Sequence, residues 1–400
     1  MAALNRAPQI ILVAGLAVLA WQAVAFGVGI GLRRSAPVLA ARFAPDNALV
    51  LGRTAQYQLK DAFPEAIGTA RRALRRDPTS AAAAGALSMA FARQGQIDRS
   101  AAMLEYSQAI SRRDLPTQLW AIELAVQRND IGRALGHYDI ALRVGKNMPT
   151  ILFPILASAA ADPAIRAPLA RMLAAGTPWK NSFLDYLSAQ TQDLSSASQL
   201  VDAVYRSGGT VRHEPIGILV QRLAEKNDVA AAWRLYRLQA PRAQPIEVRN
   251  GDFNETLRLP TIFDWRLEDS GDARAEILRG TDGGELHLEA RVGAGSMVAS
   301  QRLLLPPGRF ALEFKARPAE GATLGTSKFA IICVPSGQNL AETKLASGGR
   351  SVHAFAFSVP AGCPSQSLLL TAQSESMGSG VDGAVDGVRV RRVAPPNALQ

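Results

Sequence analysis

The chain has 400 residues, of which 48% are hydrophobic, 20% charged and 6% aromatic, and its 44 basic against 34 acidic residues leave a net charge of +10. That length is too great for one ordinary core and suits two domains plus an anchor. The basic excess recurs as pairs at helix ends (Arg71–Arg72, Arg75–Arg76, Arg112–Arg113), with no basic run interleaved with aromatics. It therefore argues against a nucleic-acid partner and reads as solvated helix faces, with a surface for an acidic polymer or for anionic lipid head groups as the alternative.

The first predicted element is the stretch Gln9–Leu32, which holds no charged residue and is bracketed by Arg6 and Arg33–Arg34. As a helix it would measure roughly 36 Å at about 1.5 Å per residue, enough to cross a hydrocarbon core of about 30 Å with some tilt. Ala23-Val24-Ala25 could serve as a small-x-small cleavage site after a core Gln9–Gln22, which keeps a cleaved signal open. The apolar run continues unbroken to Leu32, and this favours an uncleaved anchor over residues 1–34. A linker, residues 35–45, follows with Pro37 and Pro45.

Residues 46–240 read as a helical repeat domain. Phe63, Ile97 and Ile131 are spaced 34 apart, as are Ala66, Ser100 and Ala134, and Leu74, Gln108 and Leu142. Each repeat opens on a turn residue (Asp61, Gly95, Asn129) and continues as an amphipathic helix, preceded by an Ala- and Leu-rich partner: Ala48–Leu59, Ser80–Arg93 or Pro116–Arg128. A helix–turn–helix unit of this length, with small residues at the packing positions, resembles the tetratricopeptide repeat. The resemblance implies an α-helical solenoid whose concave face takes a protein partner. Beyond Met148 the period decays into helical segments Ile151–Ala161, Ala164–Ala175, Trp179–Leu187, Ala197–Ser207, Pro215–Lys226 and Val229–Gln239, each proline among them being acceptable near a helix's first turn. Trp120, Trp179 and Trp233 read as core residues.

From Pro241 the texture changes to short alternating runs separated by Gly, Pro, Ser and Asp. Candidate strands are Ile246–Arg249, Asp264–Leu267, Ala275–Arg279, Glu285–Ala290, Met297–Leu304, Gly308–Ala316, Lys328–Val334, Ala341–Lys344, His353–Val359, Ser367–Ala372 and Val385–Val393. This many strands without an intervening helix predict a jelly-roll β-sandwich over residues 246–393. Asn250-Gly251-Asp252-Phe253 followed by Phe263-Asp264-Trp265, with the closing run Val385-Asp386-Gly387-Val388-Arg389-Val390, resembles galactose-binding-like sandwiches and carbohydrate-binding modules. That resemblance implies a possible polysaccharide ligand, and a structural calcium for which Asp252 and Asp386 are weak candidates; Asn254 stands where the family has a glutamate. Trp265, in the first core strand, reads as buried. The two cysteines, Cys333 and Cys363, lie in one strand and one loop of the same sandwich and are expected to form a disulfide.

The whole layout, an anchor, degenerate tetratricopeptide-like helices and a galactose-binding-like sandwich, resembles membrane-anchored alphaproteobacterial proteins that accompany exopolysaccharide or cell-envelope synthesis. The resemblance implies a single-pass inner-membrane protein with its soluble domains in the periplasm. The flanking arginines, Arg33, Arg34 and Arg42 against Arg6, would place those domains in the cytoplasm. The paired cysteines favour the exported side.

The sequence carries no recognisable catalytic constellation. The four histidines (137, 213, 287, 353) are scattered, no His/Cys spacing suits zinc, and neither a Gly-x-Ser-x-Gly elbow nor a phosphate-binding glycine loop occurs; Gly348-Gly349 and Gly378–Gly380 read as loop glycines. Glu285 and Glu289 share a strand face but would stand about 13 Å apart at about 3.3 Å per residue, so each reads as a lone surface acid. The expectation is a non-enzymatic, membrane-anchored adaptor without a cofactor, with a glycan-active enzyme subunit and a cytoplasm-facing scaffold as rivals.

Overall fold

The structure is a computed structural model that describes residues 7–256, 258–280, 283–345, 352–375 and 378–393. Arg6 and the loop glycines Gly348-Gly349 lie outside the described residues. The chain separates into two compact units, one of residues up to Leu156 together with Thr177–Trp179, the other of Ala157–Gly176 and residues from Lys180 onward.

In the first unit, α1 covers Ala7–Leu32. Its segment Gln9–Leu32 is long and apolar enough to cross a membrane. Within the stretch read as a linker, Pro37–Phe43 forms a second helix, α2, with Pro37 at its start, where a missing N–H costs nothing. The two helices meet closely at Gly29, where a Cβ would stand 2.7 Å from that of Ala44. Ala40, Ala44 and Val50 then pack with Ile30 and Leu32.

Three helical pairs follow: α3 (Ala48–Gln58) with α4 (Phe63–Arg76), α5 (Ala81–Arg93) with α6 (Ile97–Ile110), and α7 (Leu115–Gln127) with α8 (Ile131–Val144). The second helix of each pair begins at Phe63, Ile97 and Ile131, the residues that carry the period of 34. Ala66, Ser100 and Ala134 are all buried, because only small side chains let these helices close. Asp114 caps α7 by accepting the Thr117 N–H, and its other oxygen pairs with Arg53 of α3 at 2.5 Å. That buried carboxylate thereby ties two repeats together. Trp120 is half-buried and donates its indole N–H to Ser88 Oγ (3.0 Å), whereas Trp179 is buried and donates to Asp139 (2.9 Å). His137 sits lower than an ordinary histidine in pKa, through burial first and then the positive charges of Arg112 and Arg133.

Next come α9 (Met148–Ala159), α10 (Pro163–Ala174), α11 (Lys180–Gln190), α12 (Leu194–Arg206), α13 (His213–Glu225) and α14 (Val229–Gln239). Two prolines depart from the expected first-turn positions. Pro154 and Pro168 are helix-interior. Each removes one backbone bond to the carbonyl four residues earlier, a cost that packing of the flanking side chains must offset. Asp193 and Asp228 cap α12 and α14 by accepting backbone N–H groups.

The rest of the second unit is the sandwich. Among the described residues its strands are β1 (Arg266–Leu267), β2 (Ala273–Gly280), β3 (Gly283–Ala290), β4 (Gly295–Leu303), β5 (Gly308–Pro318), β6 (Lys328–Cys333), β7 (Asn339–Lys344), β8 (Val352–Val359), β9 (Gln366–Gln373) and β10 (Val381–Arg392). They form two five-stranded sheets, β1-β4-β9-β6-β7 and β2-β3-β10-β5-β8. All the strand pairs are antiparallel. This is the expected multidomain α and β chain, with an apolar N-terminal helix, a helical array and a C-terminal sandwich.

One expected strand, Ile246–Arg249, is not a strand. It is held instead by Gln301 of β4, whose side chain accepts the Arg249 N–H (2.8 Å) and donates to the Arg249 carbonyl (2.9 Å). A buried side-chain amide takes the place of a ladder partner there.

Between the sheets lie Trp265, Phe253, Phe310, Phe314 and Phe329, all fully buried. The turn Asn250–Phe253 delivers the first of these phenylalanines. Asn250 and Phe253 both have positive φ, 50° and 54°. The Asn250 side chain steadies the turn by accepting the Glu255 N–H (2.8 Å) and donating to its carbonyl (3.1 Å). A bulky residue at positive φ costs on the order of 1–3 kcal/mol, offset here by burial of the Phe253 ring against Trp265.

Helix α14 is joined to the start of the sandwich. Trp233 meets Phe263 edge-to-face and Tyr236 meets it tilted, at ring separations of 5.0 and 5.2 Å, and the Tyr236 hydroxyl donates to Asp264 Oδ1 at 2.7 Å. Burial, followed by the Asp264 charge, drives the Tyr236 phenol well above its ordinary pKa. Substituting Tyr236→Phe is expected to remove about 1.5–3 kcal/mol, the worth of a hydrogen bond to a charged group. Urea titration of the full chain measures it, and an unchanged sandwich transition would contradict the assignment.

Candidate functional site

The outward face of the sheet β2-β3-β10-β5-β8 is built by strand parity. On β3, Leu286, Leu288 and Ala290 turn into the core, so Glu285, His287 and Glu289 turn out. Register then sets their neighbours. Leu278 of β2 stands beside Glu285, and Glu276 beside His287. On β10, Ala384 lies between His287 and Arg317, and Asp386 stands opposite Lys315 of β5.

Of these, Leu278, Glu285, Ala384, Arg317, Lys315 and Asp386 line a groove of about 480 Å³ between the β2–β3 end and strands β10 and β5. Glu285 and Arg317 meet there in a two-pronged pair, Arg317 Nη2 lying 2.8 Å from both carboxylate oxygens. Lys315 and Arg279 also line the groove, and neither carries an ion pair among the described residues. Among the described residues Asp386 accepts the Gly387 N–H beside it and carries no ion pair. No aromatic side chain is among the described lining residues. The chemistry on offer is therefore charge-assisted hydrogen bonding, with donors and acceptors both present, rather than ring stacking. Outside the groove on the same face, Arg274 pairs with Glu289 at 3.0 Å, and His287 Nε2 lies 3.2 Å from Glu289 Oε1 and 3.3 Å from Asp382 Oδ1. Glu285 and Glu289 do share this face, and each is engaged by its own arginine.

The other residues singled out from sequence fall as follows. Cys333 and Cys363 are joined by a disulfide, Cα atoms 5.7 Å apart, at the far ends of β6 and of the loop before β9. Asp252 and Asp386 are on segments that touch through one backbone bond, Val388 N–H to Gly251 O at 2.8 Å. Gly251 is required at that contact, because a Cβ there would lie 1.9 Å from the Val388 carbonyl oxygen. The two carboxylates have separate partners, however, Asp252 taking the Asn254 amide at 3.0 Å. Among the described residues no three His, Cys, Asp or Glu side chains gather into a metal-holding group. Two separated carboxylates fall well short of the six to eight oxygens calcium takes. Trp265 is buried in the core, as its position in the first strand implied.

On the helical array a second groove of about 480 Å³ lies along α6, α7 and α8, lined by Leu104, Gln108, Arg112, Leu124, Arg128 and His137 among others.

No protein-family model matches the chain, and no curated protein matches its sequence. Solved structures do match in shape over little more than a third of it. One is the enzymatically active domain of bacteriophage CBA120 tailspike protein 4, at 20% identity and a TM-score of 0.28, covering 38% of this chain and 22% of that one. The match therefore spans only about a fifth of the tailspike domain's length. A CBM4 carbohydrate-binding module matches at 16% identity and a TM-score of 0.29, over 36% of this chain and 99% of the module. The module TmCBM61, solved with β-1,4-galactotriose, matches at 15% identity and a TM-score of 0.25, over 36% and 97% respectively.

Proposed function

We propose that the protein is a non-enzymatic, membrane-anchored glycan-binding adaptor, with the sandwich holding a polysaccharide and the helical array holding a protein partner. The observation that carries the reading is the groove on the outward sheet face, where Lys315, Arg279 and Asp386, without ion pairs among the described residues, flank the prebuilt Glu285–Arg317 pair. A chain of hydroxyl-rich rings presents both donors and acceptors, and such a face answers both. Helix α1 supports attachment to the membrane by its length and composition. The disulfide supports an exported location, since such bonds persist in oxidising compartments. On this reading the soluble domains stand in the periplasm, and the protein assists polysaccharide or envelope synthesis rather than catalysing a step of it.

The test is retention of the detergent-purified, oxidised full chain on immobilised envelope and extracellular polysaccharide, with simple sugars as competitors. Retention that a sugar competes away is expected. Passage of the chain through every column unretarded would overturn the glycan-binding reading.

A further inference from the structure

The first unit contains a cationic pocket that the glycan reading does not use. It has a volume of about 500 Å³ and is lined by Arg33, Arg34, Arg53, Lys60 and Arg113, together with Tyr57, Pro37, Leu115 and Val144. No acidic residue is among the described lining residues. Arg53 is held by Asp114, and Arg33 donates to the Ile30 carbonyl at the end of α1. Arg34, Lys60 and Arg113 are exposed and carry no ion pair among the described residues. Cations so grouped repel one another unless an anion joins them.

Position supplies the second half of the argument. Arg33 and Arg34 follow directly on Leu32, the last residue of the apolar helix, so the pocket opens where a bilayer surface would meet the chain. Beside it is an apolar surface, Val38 and Leu39 of α2 with Tyr57, each more than 40% exposed, and Arg42 completes that rim. A single feature thus pairs a cluster of positive charge with exposed apolar side chains, next to the end of the apolar helix.

We propose that this pocket binds the head group of an anionic phospholipid, its phosphate held by Arg34, Lys60 and Arg113 and its acyl chains lying along α1 and the Val38–Leu39 face. The proposal rests on α1 lying in the membrane. Each cation close to an anionic surface contributes about 1 kcal/mol, so loss of two should weaken binding on the order of tenfold or more.

The experiment uses the full chain in nanodiscs made with either a zwitterionic lipid alone or a fraction of phosphatidylglycerol, comparing thermal midpoints and the lipid phosphorus that co-purifies. Phosphatidylglycerol is expected to raise the midpoint and to be retained. Both effects should shrink, with binding weakened on the order of tenfold or more, in the double variant Arg34→Ala/Arg113→Ala and survive in the charge-matched control Arg71→Ala/Arg72→Ala. Equal behaviour in both lipids, or an undiminished effect in the double variant, would overturn the proposal. So would an equal midpoint rise from inorganic phosphate in the zwitterionic disc, since the pocket would then be a soluble-anion site. Alkaline carbonate extraction of native membranes separates the premise from the proposal. A chain that washes off refutes the anchor itself, whereas one that stays but shows no lipid preference refutes only the pocket assignment.

Discussion

Replacing Trp265 with alanine is expected to cost about 3–5 kcal/mol, the largest loss for any single side chain in the sandwich. The indole is fully buried at the start of the strands and rests on Phe253, ring centroids 5.6 Å apart. Removing it leaves a cavity that the surrounding sheets, fixed by their ladders, cannot collapse to fill. It also withdraws the surface that offsets the left-handed backbone at Phe253. A second substitution sharpens the point. The Trp265 Nε1–H is buried and has no hydrogen-bond partner among the described residues, so Trp265→Phe removes an orphaned donor along with some volume. The phenylalanine variant should therefore keep most of the stability that the alanine variant loses. Hydrogen exchange of the β-strands under increasing urea measures both. Equal losses in the two variants would show that the indole N–H, not the ring, is what the core requires.

Loss of the disulfide in the variant Cys333→Ser/Cys363→Ser is expected to cost about 3–4 kcal/mol, the chain-entropy value for a closed loop of this size. The bonded residues are 30 apart, and the loop contains β7 and β8, one from each sheet. Opening it therefore frees an edge strand of both sheets in the unfolded chain at once. Part of the local geometry would survive, because Gln366 donates to the Cys363 carbonyl at 2.7 Å and accepts the Leu305 N–H at 2.9 Å. The loss should accordingly appear in the stability of the sandwich rather than as a changed fold. Urea unfolding of oxidised and variant chains checks it, and coincident sandwich transitions would contradict it.

How far the sequence disclosed all this depends on the range of the interaction. The helical pairs were legible because their signal is local. A period of 34 and a small residue at Ala66, Ser100 and Ala134 fix where each helix starts and where it packs. Strand positions were legible for the same reason, through alternation such as Leu286, Leu288 and Ala290 against Glu285, His287 and Glu289. The failures have long-range causes. Ile246–Arg249 alternates like a strand, yet its partner is a glutamine 52 residues away along the chain. The available signal was Gln301 itself, a polar residue at the inward parity of Ala299 and Leu303. Pro154 and Pro168 looked like helix starts because nothing local says that flanking residues continue the helix through them.

The groove was half legible. Parity put Glu285 on the outside of β3, but its meeting with Arg317 and the closeness of Asp386 follow from β10 lying between β3 and β5. That order is a property of the folded sheet, set by pairings across most of the sandwich. The cationic pocket was hidden similarly: Arg34, Lys60 and Arg113 come from three separate stretches and converge only when α3 and α7 are drawn together by Arg53 and Asp114.

The most direct measurement is a calorimetric titration of the full chain with the polysaccharide that retains it, comparing wild type, Lys315→Ala and the control Arg274→Ala. Lys315 lines the groove without an ion pair, so its removal leaves the fold intact; Arg274 sits on the same sheet face outside the groove, in an exposed pair worth at most about 1 kcal/mol. Affinity should fall on the order of tenfold for Lys315→Ala, the worth of one charge-assisted bond, and stay unchanged for Arg274→Ala. Undiminished binding in Lys315→Ala would place any glycan elsewhere and contradict the assignment of this groove.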